Sequence, residues 1–223
     1  MSWKYLEMSA AIAATLLAAP SFAQSPAQSP AHGNHSFSGA ERWAKVFDDP
    51  ARDAWQKPHE VISTLKLAPD AAVADIGSGT GYFAVRFAHM LSQGRVYGVD
   101  LEPDMVKYLG ERAKKESLAN LAAIAGAADD PRIPAPVDLV ILVDVYHHID
   151  QRADYFRKLR ASLKPGGRIA VIDFRMSSPS GPPPSARIAP ERVKTEMKSA
   201  GYALAEEHGF LPNQYFLIFR PAP

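Results

Sequence analysis

From about residue 38 onward the apolar positions follow two alternating rhythms. Ala72–Ile76, Arg95–Val99, Leu121–Ala125, Val137–Val145 and Arg168–Phe174 are short apolar runs that read as strands. Between them the spacing is helical. Phe83, Phe87 and Leu91 recur four apart within Gly81–Leu91. Over Pro103–Leu118, Met105, Val106, Leu109 and Ala113 face inward while Lys107, Glu111, Lys114 and Lys115 face water. Gln151–Leu163 carries a stripe through Tyr155, Leu159 and Leu163, and Pro190–Ala200 is closed by Gly201. Upstream, Ser38–Leu65 predicts one or two helices broken at Pro50 and Pro58, the latter suited to a first helical position. Lys164-Pro165-Gly166-Gly167 predicts a helix stop and a turn, and the five prolines of Ser177–Pro190 predict a loop. Two further strands near Tyr202–Glu206 and Tyr215–Phe219 close the chain. Val137–Val145 is the longest apolar run and predicts a central strand covered on both faces. Such alternation predicts an α/β fold, a parallel sheet with helices on both sides and right-handed crossovers.

The N-terminal residues break this rhythm. Met8–Ala19 is apolar and uncharged, and Ser21-Phe22-Ala23 supplies small residues for cleavage. Twelve apolar residues are too few to cross about 30 Å of hydrocarbon as a helix. Residues 1–23 are therefore expected to be a signal peptide, which predicts a periplasmic or secreted protein with no membrane span once it is removed; a misread leader would leave the protein cytoplasmic. Residues 24–37, rich in Pro, Ser and Gln, predict a disordered linker in which His32 and His35 are solvated. The folded domain is expected over 38–223, with residues 38–65 as N-terminal lid helices.

Composition narrows the chemistry. Of 223 residues, 25 are Lys or Arg and 24 Asp or Glu, a net charge of +1 that argues against a nucleic-acid partner. Zero cysteines exclude disulfides, thiolate metal sites and thiol catalysis. His147 and His148 are adjacent and point apart in an extended or tightly turned chain, while His59, His89 and His208 are isolated, so no metal site is expected.

The loop after the first strand reads Asp75-Ile76-Gly77-Ser78-Gly79-Thr80-Gly81. Glycines there permit a sharp turn and close approach of a ligand, and the helix that follows offers free N–H groups to an anion. A dinucleotide fingerprint, G-x-G-x-x-G, fails from Gly77, where Tyr82 stands third. From Gly79 through Gly81 to Ala84 a relaxed form is met, so the glycines alone leave NAD open. Asp75 argues otherwise, because a carboxylate ahead of the glycines repels a pyrophosphate and suits an amino group. Asp100, ending the next strand, can accept both hydroxyls of a ribose. S-adenosylmethionine, which has an ammonium, a carboxylate, a ribose and no phosphate, suits this pair of acids better than NAD.

VADIGSGTGYFAVRFA, GVDLEPDMVKYL, VDLVILVDVYHHI and LKPGGRIAVIDF resemble, in order and spacing, the successive motifs of class I S-adenosylmethionine-dependent methyltransferases. The similarity is greatest to the small methyltransferase-domain subgroup that includes the ubiquinone/menaquinone-biosynthesis C-methyltransferases, and it covers about residues 58–220. It implies a three-layer α/β/α, Rossmann-like, seven-stranded and mostly parallel sheet with an antiparallel C-terminal strand. It also implies S-adenosylmethionine as cofactor and a small-molecule acceptor. Asp75, Gly77, Ser78, Gly79 and Gly81 would hold the methionine end, Asp100 the ribose and Leu101 the adenine face. Asp129, in the turn Gly126–Asp130, would meet the adenine amino group, and Asp144 would face the methyl side.

Methyl transfer chiefly requires alignment and exclusion of water, with a base only where the acceptor must lose a proton. His147 is the candidate base and Tyr146 the candidate acceptor-positioning residue, the competing reading being a His that packs or bonds locally. Arg52 and Trp55 fit a lid, and Ser178–Pro184 lies where similar proteins carry substrate-recognition insertions. Two other readings compete. One is an exported, non-catalytic binding protein on the same scaffold, drawn from the conflict between an export leader and a cytosolic cofactor. The other is an NAD(P)-linked reductase, disfavoured by Asp75 and by the lack of a Tyr-x-x-x-Lys pair. Neither the acceptor nor the oligomeric state follows from the sequence.

Overall fold

A computed structural model describes residues 37–223; the expected signal peptide (1–23) and, apart from Phe37, the expected linker (24–37) lie outside the described residues. Phe37 is already docked, its ring packing against Trp43, Phe47 and His148 and its N–H donating to Glu102 Oε1 at 2.9 Å.

The strands are β1 (Ala72–Ile76), β2 (Arg95–Asp100), β3 (Leu121–Ala125), β4 (Val137–Val143), β5 (Leu163–Phe174), β6 (Tyr202–His208) and β7 (Gln214–Pro221). They form one sheet in the order β3-β2-β1-β4-β5-β7-β6, in which β7 runs antiparallel to both neighbours and every other pairing is parallel. The helices are α1 (Ala40–Phe47), α2 (Asp53–Gln56), α3 (Pro58–Leu65), α4 (Tyr82–Met90), α5 (Pro103–Lys115), α6 (Arg152–Leu159) and α7 (Pro190–Ser199). Strand alternation divides the core in two. Leu139, Ile141, Ala170, Ile172, Phe216 and Ile218 pack with α3, α4 and α5. Val140, Leu142, Ile169, Val171, Leu217 and Phe219 pack with α6 and α7. The three-layer, mostly parallel architecture implied by the motifs is therefore the observed one. Among the described residues, no helix is long and apolar enough to cross a membrane.

Differences from the sequence expectation have local causes. β4 stops at Val143 because Asp144 adopts φ +60°, which turns the chain out of the sheet. Helix α6 ends at Leu159 and tightens into a 3-10 turn over Arg160–Ser162. The stretch Lys164–Gly167 is a turn carried within β5: Val137 pairs with Leu163 and Leu139 with Arg168, so four residues bulge outward between them.

The Pro-rich loop is built around one buried cation. Arg187 is 9% exposed and donates to the carbonyls of Pro182 (2.7 Å), Arg175 (3.1 Å), Met176 (3.1 Å), Ser178 (2.7 Å) and Ser180 (3.1 Å). The planar fork of Arg satisfies in one residue carbonyls that no sheet or helix could reach. Arg187→Ala is expected to cost about 3 kcal/mol and to speed amide exchange over residues 175–187, since it leaves these acceptors buried and unpaired. Urea unfolding with hydrogen exchange checks this; a change below about 0.5 kcal/mol contradicts it.

Candidate functional site

The site lies where the chain reverses its direction of travel across the sheet, between β1 and β4, at the carboxyl ends of the strands. The four adjacent parallel strands there each run into an aspartate: Asp100 ending β2, Asp75 in β1, Asp144 after β4 and Asp173 in β5. Asp75 and Asp144 share the field of one cation, Arg52.

Asp75 is 3% exposed, and burial pushes its carboxyl up from the ordinary 3.8 to about 7, against the lowering pull of the Ala84 amide and of the Arg52 charge. Asp100 is also raised, chiefly by burial. Its Oδ2 accepts from Gly79 N–H at 2.8 Å and its Oδ1 from Glu102 N–H at 3.0 Å. These bonds fix the carboxylate plane and leave a lone pair on each oxygen for a diol. Leu101 beside it is 59% exposed, an apolar platform facing solvent. The glycine loop is locked beneath β2, because Gly77 and Ser78 both donate to Val99 O, at 2.8 and 3.0 Å. Gly77 (φ +68°) and Gly81 (φ +95°) occupy the left-handed region, and a Cβ would come within 2.3 Å of Val145 and 2.4 Å of Leu109 respectively. Ser78 turns its hydroxyl inward over Gly98, where that buried oxygen has no hydrogen-bond partner among the described residues. Gly81 caps α4 without a side-chain cap, and the first-turn amide of Ala84 donates to Asp75.

Asp144 is held in its left-handed conformation by two groups. Gln214 Nε2 donates to its Oδ1, and Arg52 Nη2 lies 3.6 Å from its Oδ2. Burial pushes this carboxyl up as well, with Arg52 opposing. Arg52 sits over the Tyr82 ring at 4.0 Å. It belongs to a 3-10 turn, Pro50–Arg52, that carries α1 and α2 across the strand ends. Phe47 of α1 lies on the loop, 3.3 Å from where a Gly79 Cβ would stand. Arg112 Nη1 ties Asp48 to the Thr80 carbonyl, at 3.0 Å each. The expected lid is thus docked directly on the glycine loop, and Trp55 packs against Phe174 at 5.9 Å.

His147 is 5% exposed, and its Nδ1 lies 2.9 and 3.0 Å from the Asp173 oxygens. Asp173 also accepts from the backbone N–H of His147 and of Phe174. A carboxylate so placed accepts a hydrogen bond from Nδ1–H and so leaves Nε2 as the acceptor nitrogen.

Two expected site residues do not reach the crevice. Tyr146 is fully buried, stacks on Phe156 at 5.3 Å and donates its hydroxyl to Glu196 Oε2 at 2.8 Å. The 3-10 turn Tyr146–His148 aims it into the α6–α7 layer, so it is unavailable to an acceptor. Asp129 points away because Ala127 and Asp130 close the turn, placing Asp129 at its tip against Lys158 Nζ at 3.0 Å. Sequence reasoning missed Asp173, Gln56 and Gln214. Asp173 carries the same signal as Asp75, an acid ending an apolar strand. Gln214 is a polar residue opening the apolar run Tyr215–Phe219. No group of three or more His, Cys, Asp or Glu able to hold a metal occurs among the described residues.

The family described as "Methyltransferase domain" matches residues 67–208. The chain is 32% identical over 141 residues to erythromycin 3''-O-methyltransferase of Saccharopolyspora erythraea, covering 60% of this chain and 45% of that protein. It is 30% identical over 123 residues to demethylmenaquinone methyltransferase of Listeria welshimeri, covering 53% and 50%. The chain thus spans about half the length of these curated relatives. In fold it is similar to a SAM-dependent methyltransferase from Aquifex aeolicus, with TM-score 0.74, 24% identity, and 81% and 97% of the two chains covered.

Folding raises Asp75, so between its ordinary 3.8 and about 7 the folded chain keeps a proton that the unfolded chain has lost. Stability of the ligand-free protein therefore falls as pH rises through that window. Asp75→Asn is expected to flatten the decline and to stabilise the protein at pH 8 by on the order of 3 kcal/mol, read by urea unfolding across pH. Parallel curves for the two proteins would contradict the assignment.

Proposed function

Because the chain belongs to the methyltransferase-domain family, we propose that it is an S-adenosylmethionine-dependent enzyme that methylates a small-molecule acceptor by in-line displacement. The observation that carries this reading is the placing of Asp75, Asp100 and Asp144 at the carboxyl ends of adjacent strands beside a glycine loop, with Arg52 facing both Asp75 and Asp144. Such a crevice attracts a ligand with a positive charge and a diol and repels one with a pyrophosphate. S-adenosylmethionine supplies, when bound, an electrophilic methyl on a cationic sulfur. The residues present fit it: Asp75 is a buried acid that an ammonium would draw into its ionised form, the start of α4 suits a carboxylate, Asp100 is oriented for a ribose, and Leu101 offers an apolar face for a flat base.

The protein's own contribution is binding, orientation and exclusion of water. The lid, tied to Asp144 through Arg52 and to Arg112 through Asp48, rests on the glycine loop through Phe47 and on Phe174 through Trp55. Where an acceptor must lose a proton, His147 receives it at Nε2, with Asp173 holding the ring and stabilising the imidazolium that forms. Small-molecule acceptors are what the names of the matched relatives describe, and the near-neutral charge of the chain supports the same class here. The apolar leader with its small-residue cleavage site supports export to the periplasm as part of this reading.

Calorimetric titration of the purified protein with S-adenosylmethionine is expected to show saturable binding that Asp100→Ala weakens more than tenfold, as the loss of a charged hydrogen bond of about 1.5–3 kcal/mol requires. Equal affinity of the two proteins would remove Asp100 from the site, and absence of binding would remove the function.

A further inference from the structure

A ring of hydrogen bonds closed by one ion pair links the lid to the floor of the crevice. Arg52 Nε and Nη2 donate to Gln56 Oε1, both at 3.2 Å. Gln56 Nε2 donates to Gln214 Oε1, and Gln214 Nε2 donates to Asp144 Oδ1. Arg52 Nη2, 3.6 Å from Asp144 Oδ2, completes the circuit, while Arg52 Nη1 donates to the carbonyl of Phe47 at the end of α1, at 3.0 Å. Gln56 and Gln214 are both fully buried, so neither amide can exchange a partner for water.

The ring has a single polarity. A guanidinium can only donate, which turns the Gln56 carbonyl toward Arg52 and its NH₂ toward Gln214. Gln214 must then present its own carbonyl to Gln56 and its NH₂ to Asp144. An ionised carboxylate can only accept, so the circuit closes. Either amide reversed would set donor against donor and carbonyl against carbonyl. The two amides therefore transmit orientation between the opposite charges of Arg52 and Asp144, through links that span 158 residues from Gln56 to Gln214 and 70 from Gln214 to Asp144.

We propose that Gln214 is a positioning residue which makes lid closure conditional on the negative charge of Asp144, through a one-way relay Asp144–Gln214–Gln56–Arg52. The ring itself needs no bound ligand; only its use, to hold the lid over a cation, rests on the methyltransferase reading. Arg52 from the lid, His147 from the turn after β4, Asp173 from β5 and Tyr215 from β7 are the charged or titratable groups whose fields meet Asp144. A positive ligand in the crevice adds to Arg52 in keeping Asp144 ionised and the ring shut. Because the proposed donor enters as a cation and its product is neutral, the lid is expected to hold the donor more firmly than the product.

The test separates a ring from a local clasp. Gln56→Glu strengthens the contact with Arg52 but sets an acceptor-only group against the Gln214 carbonyl. In ligand-free protein, hydrogen exchange over residues 40–56 is expected to accelerate at least tenfold in Gln56→Glu and in Gln214→Leu, while amides of β1 and β4 keep their protection. Unchanged or slower lid exchange in Gln56→Glu would overturn the proposal, since a lid held only by its own Arg52–residue 56 contact tightens there. A variant that loses protection in β1 and β4 is replaced by Arg52→Lys, where the proposal requires faster lid exchange and unchanged exchange overturns it. With S-adenosylmethionine added, Gln214→Leu is expected to raise its dissociation rate at least fivefold. If no protein binds the donor, the functional reading fails while the exchange experiment still decides the ring.

Discussion

Burying a carboxylate without a full counter-charge is the constraint around which this structure is arranged. Asp75 and Asp144 are both pushed up by desolvation, and Arg52 is the cation that opposes the effect at each. A core selected only for stability would replace such acids with apolar residues. Their presence at the carboxyl ends of the central strands marks a place where folding energy is held back for a ligand. The glycine loop, the lid and the Asp144 turn are all consequences of giving those acids a shape.

The surrounding parts divide the work by rigidity. The sheet fixes the spacing of the aspartates, because β2, β1, β4 and β5 are adjacent and their register is pinned by parallel pairing. The Pro-rich loop is frozen on Arg187. The lid is attached differently, by polar contacts of Arg52 to Asp144, of Asp48 to Arg112 and of the Phe37 and Gly39 amides to Glu102 and Asp104, beside the apolar contacts of Phe47 and Trp55. Polar contacts of this kind are directional and can be exchanged for water when they open, whereas an apolar interface would have to expose its whole area at once. A cover that must admit a ligand is well served by them.

Much of this was legible in the residues themselves. β1 and β3 have the limits their apolar runs define, because strand burial leaves a plain pattern. Asp75, Asp100 and the loop glycines were visible because their chemistry is local: an acid, a turn and a helix start within a few residues. Tyr146 and Asp129 were misplaced for the opposite reason. The orientation of each is set by a turn, Tyr146–His148 and Gly126–Asp130, whose geometry apolar spacing does not encode. Gln56 and Gln214 acquire meaning only when the fold brings together residues 158 apart. A glutamine opening an apolar strand announces a buried partner without saying which.

The central claim, that the crevice is an array of desolvated acids waiting for a cation, has a direct thermodynamic signature. A positive group placed beside Asp75 draws its pKa down, so binding near pH 6.5 must expel a proton. Calorimetry of S-adenosylmethionine binding in buffers of different ionisation enthalpy counts that proton. Net release at pH 6.5 that disappears at pH 8.5 is the predicted result. Binding with no proton release at either pH, or proton uptake, would contradict it.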